Sequence, residues 1–561
     1  MREDHFPDIA YDILKELSIR RLAMPGINEA VIGGLAYLHD TYVLDASAYD
    51  TSWHSFLIDT SGKYRLFPRL AAGFRHFLGK YIVRENHLEG AWPGYIHFLA
   101  DEKKVHARPI FVVTDYNLFT TASTAYPLIL FDDRHLSKEN QFLDRMLDGA
   151  NQAIKGFKRD SAYNFWITSK NRSGSFACSS PLNIPIPVVG LRRYTYKFTG
   201  MMGLKDFKEA ERLQDWVIDC FNKRLNPFGG AAVFNIPNDA DNTSIAVSFQ
   251  LLMNRRNGTA MPAELLEPLE LLPCFRDLDR VNRDRYYKTF GEGTGAYLTW
   301  FKDESKPVFE EPSKGVIPLT VNNVDIVINA NVLFALALSG KTSMPGYEDT
   351  INLLVKAIEE DGWMNASLYY PQRYIFPYAI SRAWRDGGAR GPGLDDALDH
   401  LMIRILEDYI SYQGQDGSIT GAFPWNKYDN LNQSTALALI TLLNLGRSRA
   451  VLIGMSEEYD RIVDDSVTLL IKSRQPVRSR QKKTASTFPG TMPNFWESGI
   501  LYSSSVQQLA HWRSHAQATS LVLEALAKYL LAYDHSSEGF LSAKLHLHFN
   551  NAKASLVVSS K

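Results

Sequence analysis

The sequence has little of three features that define common protein classes: cysteine, an excess of one charge, and long apolar runs. Its three cysteines, Cys178, Cys220 and Cys274, lie far apart without a CxxC pair, so neither a disulfide framework nor a structural zinc site is predicted. The 61 basic and 62 acidic residues leave a net charge of -1, which gives no general attraction for nucleic acid. The first residues are polar and acidic, and no run approaches the ~20 apolar residues of a membrane span. We therefore expect a cytoplasmic protein without a transmembrane segment, whose membrane contact, if any, is peripheral.

What the chain does contain is a set of strongly apolar helical segments. Each begins with a polar residue and continues as a stretch rich in Leu, Ala and Val, too apolar for a surface helix. These segments begin near Asp115, Asp239, Val324, Asn432 and His515. Amphipathic segments such as LDDALDHLMIRILEDYISY lie between them and suit an outer layer. Inner helices surrounded by outer ones predict an all-α fold of the (α/α) toroid type.

The length of the chain sets the expected number of domains. At 561 residues it exceeds what one hydrophobic core usually supports, so we expect two lobes. We place an N-terminal helix within residues 1–24, packing with the second lobe. The first α/α lobe is predicted over residues 25–175 and the second over 176–561.

An acidic pair before one apolar helix is the sharpest signal for chemistry. In IPNDADNTSIAV, Asp239 and Asp241 follow a loop and precede the helix. Two close carboxyls in an apolar setting push their pKa values apart, which leaves one protonated near neutral pH. Such a neutral acid is what the protonation of an alkene requires. The alternative role of an aspartate at this position is to cap the helix, and capping is the commoner one.

DADNTS resembles the DxDD(T/S) signature of class II terpene cyclases, which include squalene-hopene and copalyl diphosphate cyclases. The resemblance implies that Asp241 is the acid and that Asp239 orients or tunes it, while Asn242 stands where the family has a second Asp. The segment SAYDTSW at 47–53 is similar to a helix-start element of the diterpene cyclases, and EDGWMN at 360 and QGQDGSIT at 413 are similar to their QW repeats. The family's fold is a double barrel of β- and γ-type lobes. On that basis residues 25–175 would be γ-like and residues 176–561 β-like.

The resemblance implies that Asp241 protonates a terminal alkene or epoxide of a linear isoprenoid, in the first place a prenyl diphosphate. Rings then close without loss of diphosphate. No cofactor is required for protonation, no metal site is predicted, and Mg²⁺ would accompany a diphosphate substrate. Arg192 and Arg193 are candidates for binding the diphosphate. Aromatic rings stabilise cations by about 0.5 to 2 kcal/mol each, so four tryptophans are candidates for lining the cavity: Trp300, Trp363, Trp425 and Trp496.

Three alternatives stay open at this point. Asp325, at the start of another apolar helix, is a second candidate acid, because its distance from SAYDTSW fits the family spacing better. A carbohydrate-active toroid could use Asp239, Asp241 and Asp325 as acid and base. A catalytically silent binding scaffold would explain Asn242. Two further matches are set aside: DDALD at 395–399 belongs to an outward-facing helix, and SGKTS at 339–343 ends a helix, whereas a phosphate loop begins one.

Overall fold

The structure is a computed structural model, and it describes residues 26–43, 88–98, 111–132, 141–170, 176–178, 236–278, 293–303, 317, 322–365, 367, 369–413, 419–477, 492–503 and 510–533. The helices of these segments are α1 Ile27–Thr41, α2 Leu118–Asp132, α3 Gln141–Lys155, α4 Ala240–Arg256, α5 Ile326–Leu338, α6 Tyr347–Glu359, α7 Ile375–Arg385, α8 Leu394–Asp408, α9 Leu431–Leu445, α10 Arg447–Leu452, α11 Ser456–Lys472 and α12 His515–Tyr533. Short 3-10 helices occupy Ala263–Leu265, Glu267–Cys274 and Gly362–Asn365.

Six of these described helices close an inner ring. Each packs against the next in the order α2, α4, α5, α7, α9, α12, and α12 returns to α2. Their sequences explain this position, because a helix that is apolar on all sides must be covered on all sides. In α5, for example, every residue from Ile326 to Leu338 except Ala337 is buried.

An outer layer of amphipathic helices covers the ring. Helix α3 packs on α2 and α4, α6 on α5, α8 on α9, α11 on α9 and α12, and α1 on α12. In α6 the buried positions include Tyr347, Thr350, Ile351, Leu354 and Ile358, which is the spacing of one helical face. Inner helices surrounded by outer ones are therefore present among the described residues, as the sequence pattern predicts.

Three of the inner helices, α2, α9 and α12, run in the same direction. Ser520, near the start of α12, donates a hydrogen bond to the carbonyl of Thr124 in the first half of α2. Lys528, further along α12, donates to Asn444 at the far end of α9. Early residues thus meet early residues and late residues meet late ones, so the N-terminal ends of these three helices lie at the same end of the ring.

A small antiparallel sheet lies before two of these N-termini. Its strands β1 Gly94–Phe98, β2 Phe111–Asp115, β11 Tyr502–Ser503 and β12 Ala510–Arg513 are arranged in the order β11-β12-β1-β2. Chain segments some 400 residues apart are paired here, with Ile96 opposite Trp512. The other strands form two-stranded pairs: β3 Lys158–Arg159 with β4 Ala162–Tyr163, β5 Thr168–Lys170 with β6 Phe176–Cys178, β7 Ile410–Gln413 with β8 Ile419–Ala422, and β9 Gln475–Pro476 with β10 Asn494–Phe495.

Of the predicted all-α fold, the mostly helical character is confirmed, with short strands beside the helices, and the described residues form one ring of helices. That ring joins α2, and α3 outside it, to helices beyond residue 235. A second ring is not seen in the described segments, and residues 1–24 lie outside them. The two-lobe division stays a prediction. Across the described residues, no helix has both the length and the apolar character needed to cross a bilayer.

Candidate active site

Asp239 caps helix α4. Its backbone is extended, and its Oδ1 accepts a hydrogen bond from the Asn242 backbone N–H at 2.7 Å. Its Oδ2 accepts a second one from the Asn242 side-chain amide, also at 2.7 Å. The capping role that is common for this type of residue is therefore the one that Asp239 has. Both of its carboxyl oxygens are bound to N–H donors from the same turn.

Asp241 lies in the first turn of α4 but does not cap it. Its side chain is buried, and it reaches across to two neighbouring elements of the ring. Asn331 of α5 donates its Nδ2–H to Oδ1 at 2.7 Å. The Tyr370 hydroxyl, from the segment that leads into α7, is hydrogen-bonded to Oδ2. The carboxyl is thus held by side chains that lie far from it in the sequence.

Burial raises the pKa of both aspartates above the ordinary value of 3.8. For Asp241 burial raises the pKa to about 6, although the hydrogen bonds from Tyr370 and Asn331 lower it. For Asp239 burial, followed by the negative charge of Asp241, raises the pKa to about 8. Near neutral pH the pair together therefore holds about one proton.

The pKa is higher for Asp239 than for Asp241, whereas the hydrogen-bond partners favour the shared proton on Asp241. The groups that contact Asp239 are N–H donors, which cannot accept a proton from it. The partner of Asp241 at Oδ2 is a hydroxyl, which can donate or accept. A proton on Oδ2 of Asp241 would therefore keep a hydrogen-bond partner, and ionised Asp239 would keep both of its donors.

Arg382 of α7 fixes the orientation of the Asn331 amide. Its Nη2 donates to Asn331 Oδ1 at 2.7 Å, so the amide must present its Nδ2–H to Asp241. The guanidinium is buried and lies over the rings of Tyr126, Phe334 and Tyr378, with 4.9 to 5.2 Å from its central carbon to the ring centroids. Such cation–π packing holds the arginine side chain in place.

A cavity of about 50 Å³ lies inside the ring beside these residues. The side chains that hold Asp241 belong to its wall, whereas Asp241 itself is screened from it. Apolar and aromatic side chains make up part of the wall, among them Phe119, Val327, Tyr370, Tyr378, Leu437 and Leu501. Polar side chains make up much of the rest: Asn331, Gln372, Arg382, Gln433, Gln517 and Glu524. The wall is therefore a mixture of apolar and polar side chains.

Asp325, the second candidate acid, is a helix cap. Its Oδ1 accepts hydrogen bonds from the backbone N–H groups of Val327 at 2.8 Å and Ile328 at 3.2 Å. Its Oδ2 accepts one from the Ser367 hydroxyl at 2.8 Å. The side chain is fully buried and does not belong to the cavity wall. This arrangement supports capping as its role.

The four candidate tryptophans lie away from the cavity wall. Trp300 is buried beside the start of α4 and donates to the Tyr369 hydroxyl at 3.2 Å. Trp363 packs against Tyr374 in the outer layer, and the indole of Trp496 donates to the backbone carbonyl of Leu470. Trp425 is 49% exposed. The aromatic rings of the wall are instead Phe119, Tyr370 and Tyr378.

The remaining sequence matches fall into two groups. Arg192, Arg193 and the SAYDTSW segment lie outside the described residues, so their roles stay predictions. The two matches that we set aside have ordinary structural roles: Asp395 and Asp399 pair with Arg449 on the outer layer, and SGKTS follows the end of α5. Within the described segments, no cluster of three or more His, Cys, Asp or Glu side chains could hold a metal ion.

Sequence reasoning missed Asn331, Tyr370 and Arg382. Asn331 did carry a signal, because an amide inside a helix as apolar as α5 needs a buried hydrogen-bond partner. Arg382 carried a similar one, as a charged residue on the buried side of α7. Tyr370 lies 129 residues from Asp241, in a segment whose pattern gives no indication of a site.

No protein-family model and no curated protein matches this sequence, but solved structures resemble it. Type II terpene cyclase MstE from Scytonema aligns with 91% of this chain and 100% of its own, at 11% identity and a TM-score of 0.45. A complex of MstE with geranylgeranyl dihydroxybenzoate as substrate aligns with 90% of this chain and 99% of its own, at 11% identity and a TM-score of 0.44. ent-Copalyl diphosphate synthase from Streptomyces platensis aligns with 75% of this chain and 52% of its own, at 13% identity and a TM-score of 0.37. At these identities and TM-scores, the alignments do not bear on the role of any residue.

Proposed function

We propose that this protein catalyses the protonation-initiated cyclisation of a linear isoprenoid, with Asp241 as the acid. The observation that carries the proposal is the state of the Asp241 carboxyl. It is buried beside a cavity and held by Asn331 and Tyr370, whereas Asp239 and Asp325 are occupied in capping their helices. It is the aspartate of the three whose carboxyl is hydrogen-bonded to side chains of the cavity wall.

The surroundings of Asp241 meet the requirements for an acid that protonates an alkene. An alkene is a very weak base, so its acid has to be neutral, shielded from water and fixed in position. Burial favours the neutral form, with a pKa of about 6. Arg382 and Asn331 fix the orientation, and proton loss leaves a carboxylate that still accepts hydrogen bonds from Asn331 and Tyr370.

The proton would reach the cavity through the Tyr370 hydroxyl. This hydroxyl touches Asp241, and its side chain belongs to the cavity wall, from which Asp241 is screened. In one concerted step, Oδ2 of Asp241 gives its proton to the Tyr370 oxygen while the Tyr370 O–H proton moves to an alkene carbon. The π electrons form the new C–H bond and leave a cation on the adjacent carbon. Tyr370 ends the step neutral, as it began.

The growing carbocation would then be enclosed by the cavity wall, where Phe119, Tyr370 and Tyr378 present rings. The cavity of about 50 Å³ is smaller than the roughly 300 to 1,000 Å³ of ligand sites, so side chains of the wall must move aside for an isoprenoid to bind. We propose a prenyl diphosphate whose diphosphate is retained, with Mg²⁺ as its counter-ion. Arg192 and Arg193 are proposed to bind that group.

Incubation of purified protein with farnesyl diphosphate, geranylgeranyl diphosphate and squalene tests this proposal. We expect a cyclic product, with the diphosphate intact where one was present, and loss of that product for Asp241→Asn. Asp325→Asn is the matched control, because it changes a buried aspartate at the start of the adjacent helix. Product formation that survives Asp241→Asn would place the acid elsewhere.

The same assay separates the competing functions. A panel of oligosaccharides, added in parallel, would identify a carbohydrate-active enzyme if these alone were cleaved. Binding of an isoprenoid without conversion by the wild-type protein would indicate a silent scaffold. Either result would overturn the proposed cyclase activity.

A further inference from the structure

We propose that Glu524 is the base that ends the reaction by taking a proton from the final carbocation. This inference rests on the proposed function, because it assigns a second residue in the same cavity. The observation behind it is a carboxylate oxygen that is buried at the cavity wall without a hydrogen-bond donor.

Glu524 lies in the third turn of the inner helix α12. Its side chain is fully buried and belongs to the cavity wall. Oε2 accepts a hydrogen bond from the Tyr378 hydroxyl at 3.1 Å. Oε1 accepts none from the described part of the chain, and its nearest cation is the Lys528 Nζ at 3.8 Å. One oxygen is therefore fixed and the other is available.

Glu524 is not needed to neutralise the charge of Lys528. Lys528 makes closer contacts with Asp386 Oδ2, at 2.7 Å, and with Asn444 Oδ1, at 2.6 Å. Burial raises the pKa of Glu524, and the nearby charges of Lys528 and Arg382 oppose that rise. The two cations thus favour the carboxylate form, while Oε1 has no hydrogen-bond donor among the described residues.

A continuous chain of hydrogen bonds links this carboxylate to the acid. Asn331 donates to Asp241 at 2.7 Å, Arg382 donates to Asn331 at 2.7 Å and to the Tyr378 oxygen at 3.2 Å, and Tyr378 donates to Glu524 at 3.1 Å. Four of the five side chains line the same cavity. The two carboxyls are therefore held in fixed positions relative to one another.

The two carboxyls belong to different inner helices, Asp241 to α4 and Glu524 to α12. Asn331, Arg382 and Tyr378 lie between them in the chain of hydrogen bonds. A substrate that receives a proton on the Asp241 side can therefore lose one from a different carbon on the Glu524 side.

The terminating step moves one proton and one electron pair. A C–H bond adjacent to the cationic carbon breaks, its electron pair becomes the π bond of the product alkene, and Oε1 of Glu524 takes the proton. Glu524 becomes a neutral acid and Asp241 is left as a carboxylate. When the product leaves, exchange with solvent returns the proton to the Asp241 side and removes the one on Glu524.

Replacing Glu524→Gln tests this role through product identity. The amide keeps the shape of the side chain and the acceptor for Tyr378 but cannot take a proton at neutral pH. We expect the alkene product to fall at least about tenfold as a share of all products, since a positioned base contributes roughly 10² to 10⁴-fold. Water-quenched alcohols or alkenes with a shifted double bond should replace it, as measured by gas chromatography with mass spectrometry.

Asp386→Asn is the matched control, because it removes a carboxylate that contacts Lys528 without lining the cavity. A merely structural role of Glu524 predicts that both variants lower the melting temperature and leave the product pattern unchanged. If Glu524→Gln does not fold, Glu524→Asp can replace it. The shorter side chain keeps the charge but moves the carboxylate away from its position at the cavity wall, so the alkene share should again fall. Cyclisation to the wild-type products by a folded variant would overturn the base assignment and leave the proposed function intact. If the wild-type protein forms no cyclic product from any of the isoprenoid substrates, the proposed function itself is overturned.

Discussion

Helices α4 and α5 are neighbours in the ring and begin alike, yet only α4 carries a second aspartate in its first turn, and this residue does not cap the helix. Each starts with a buried aspartate that accepts hydrogen bonds from the backbone of its own first turn, Asp239 in α4 and Asp325 in α5. The difference lies two residues further on, where α4 has Asp241 and α5 has Val327. Asp241 reaches Asn331 and Tyr370, while Val327 lines the cavity.

This comparison shows that position within the first turn decides what a buried carboxyl can do. At the cap, the side chain folds back onto the free backbone N–H groups, and these hold its oxygens. Two residues later, the side chain points away from its own helix end and must find partners on other elements. A site residue at this position therefore depends on the ring being assembled, whereas a cap depends only on local sequence.

The largest difference between the starts of α4 and α5 should be seen in the cyclisation rates of their aspartate variants. We expect Asp241→Asn to lower the cyclisation rate by roughly 10² to 10⁴-fold, the contribution of a positioned acid, because an amide has no acidic proton to give. Asp325→Asn should change the rate less than about threefold, since asparagine caps helices as well as aspartate does. Steady-state rates on one isoprenoid substrate would compare the two. Equal losses would mean that the two helix starts do not differ in function.

Tyr370→Phe should have the next largest effect. It removes the hydroxyl between Asp241 and the cavity and keeps the ring that packs against Phe119 at 5.3 Å between centroids. We expect the rate to fall by about 10²-fold, within the range of proton-transfer catalysis. Tyr369→Phe is the control, because that hydroxyl accepts a hydrogen bond from Trp300 at a distance from the cavity. A rate that rises in Tyr370→Phe would show that Asp241 protonates the substrate directly.

The pH dependence of stability should also distinguish Asp241 from an ordinary surface aspartate. Burial raises its folded pKa to about 6, above the ordinary 3.8, so the folded state favours the protonated form. Its contribution to stability is then complete below about pH 4 and is lost as the pH rises through about 6. Between these limits the free energy of unfolding of the wild-type protein should fall relative to Asp241→Asn by roughly 2 to 3 kcal/mol. Urea unfolding at both pH values measures this difference, and parallel behaviour of the two proteins would contradict it.

Asn242→Asp should give the smallest effect, and it introduces the second Asp of the DxDD pattern that DADNTS resembles. The Asn242 amide donates to Asp239 Oδ2 at 2.7 Å, so a carboxylate in its place would repel Asp239. We expect the free energy of unfolding to fall by about 1 to 3 kcal/mol near pH 8, with partial recovery near pH 5, and no gain in rate. Thermal unfolding at the two pH values, together with the rate assay, would measure it. A variant that is both as stable as the wild-type protein and faster would contradict this prediction and show that a carboxyl at position 242 assists the reaction.

Much of this arrangement follows from local sequence, and the rest does not. The inner ring is predicted from helices that are apolar on all sides, and the acidic pair is predicted from two aspartates beside one of them. The partners of Asp241 come from residues 90 and 129 positions away, so nothing near it in the sequence indicates them. The tryptophans show another limit of the sequence, because the presence of an indole does not indicate whether the side chain faces the cavity, the outer layer or solvent. Trp425 and Trp496, for example, are half-exposed and fully buried, respectively.

Isotope-edited infrared difference spectroscopy of the Asp241 carboxyl tests the central claim most directly. With carboxyl-labelled aspartate, the wild-type spectrum minus that of Asp241→Asn isolates this one group. The structure predicts a protonated carboxyl band that persists well above pH 4 and disappears with a midpoint near pH 6, because burial raises the pKa of Asp241 to about 6. A group that is already fully ionised at about pH 5, as an ordinary exposed aspartate is, would contradict the claim that Asp241 is a buried acid.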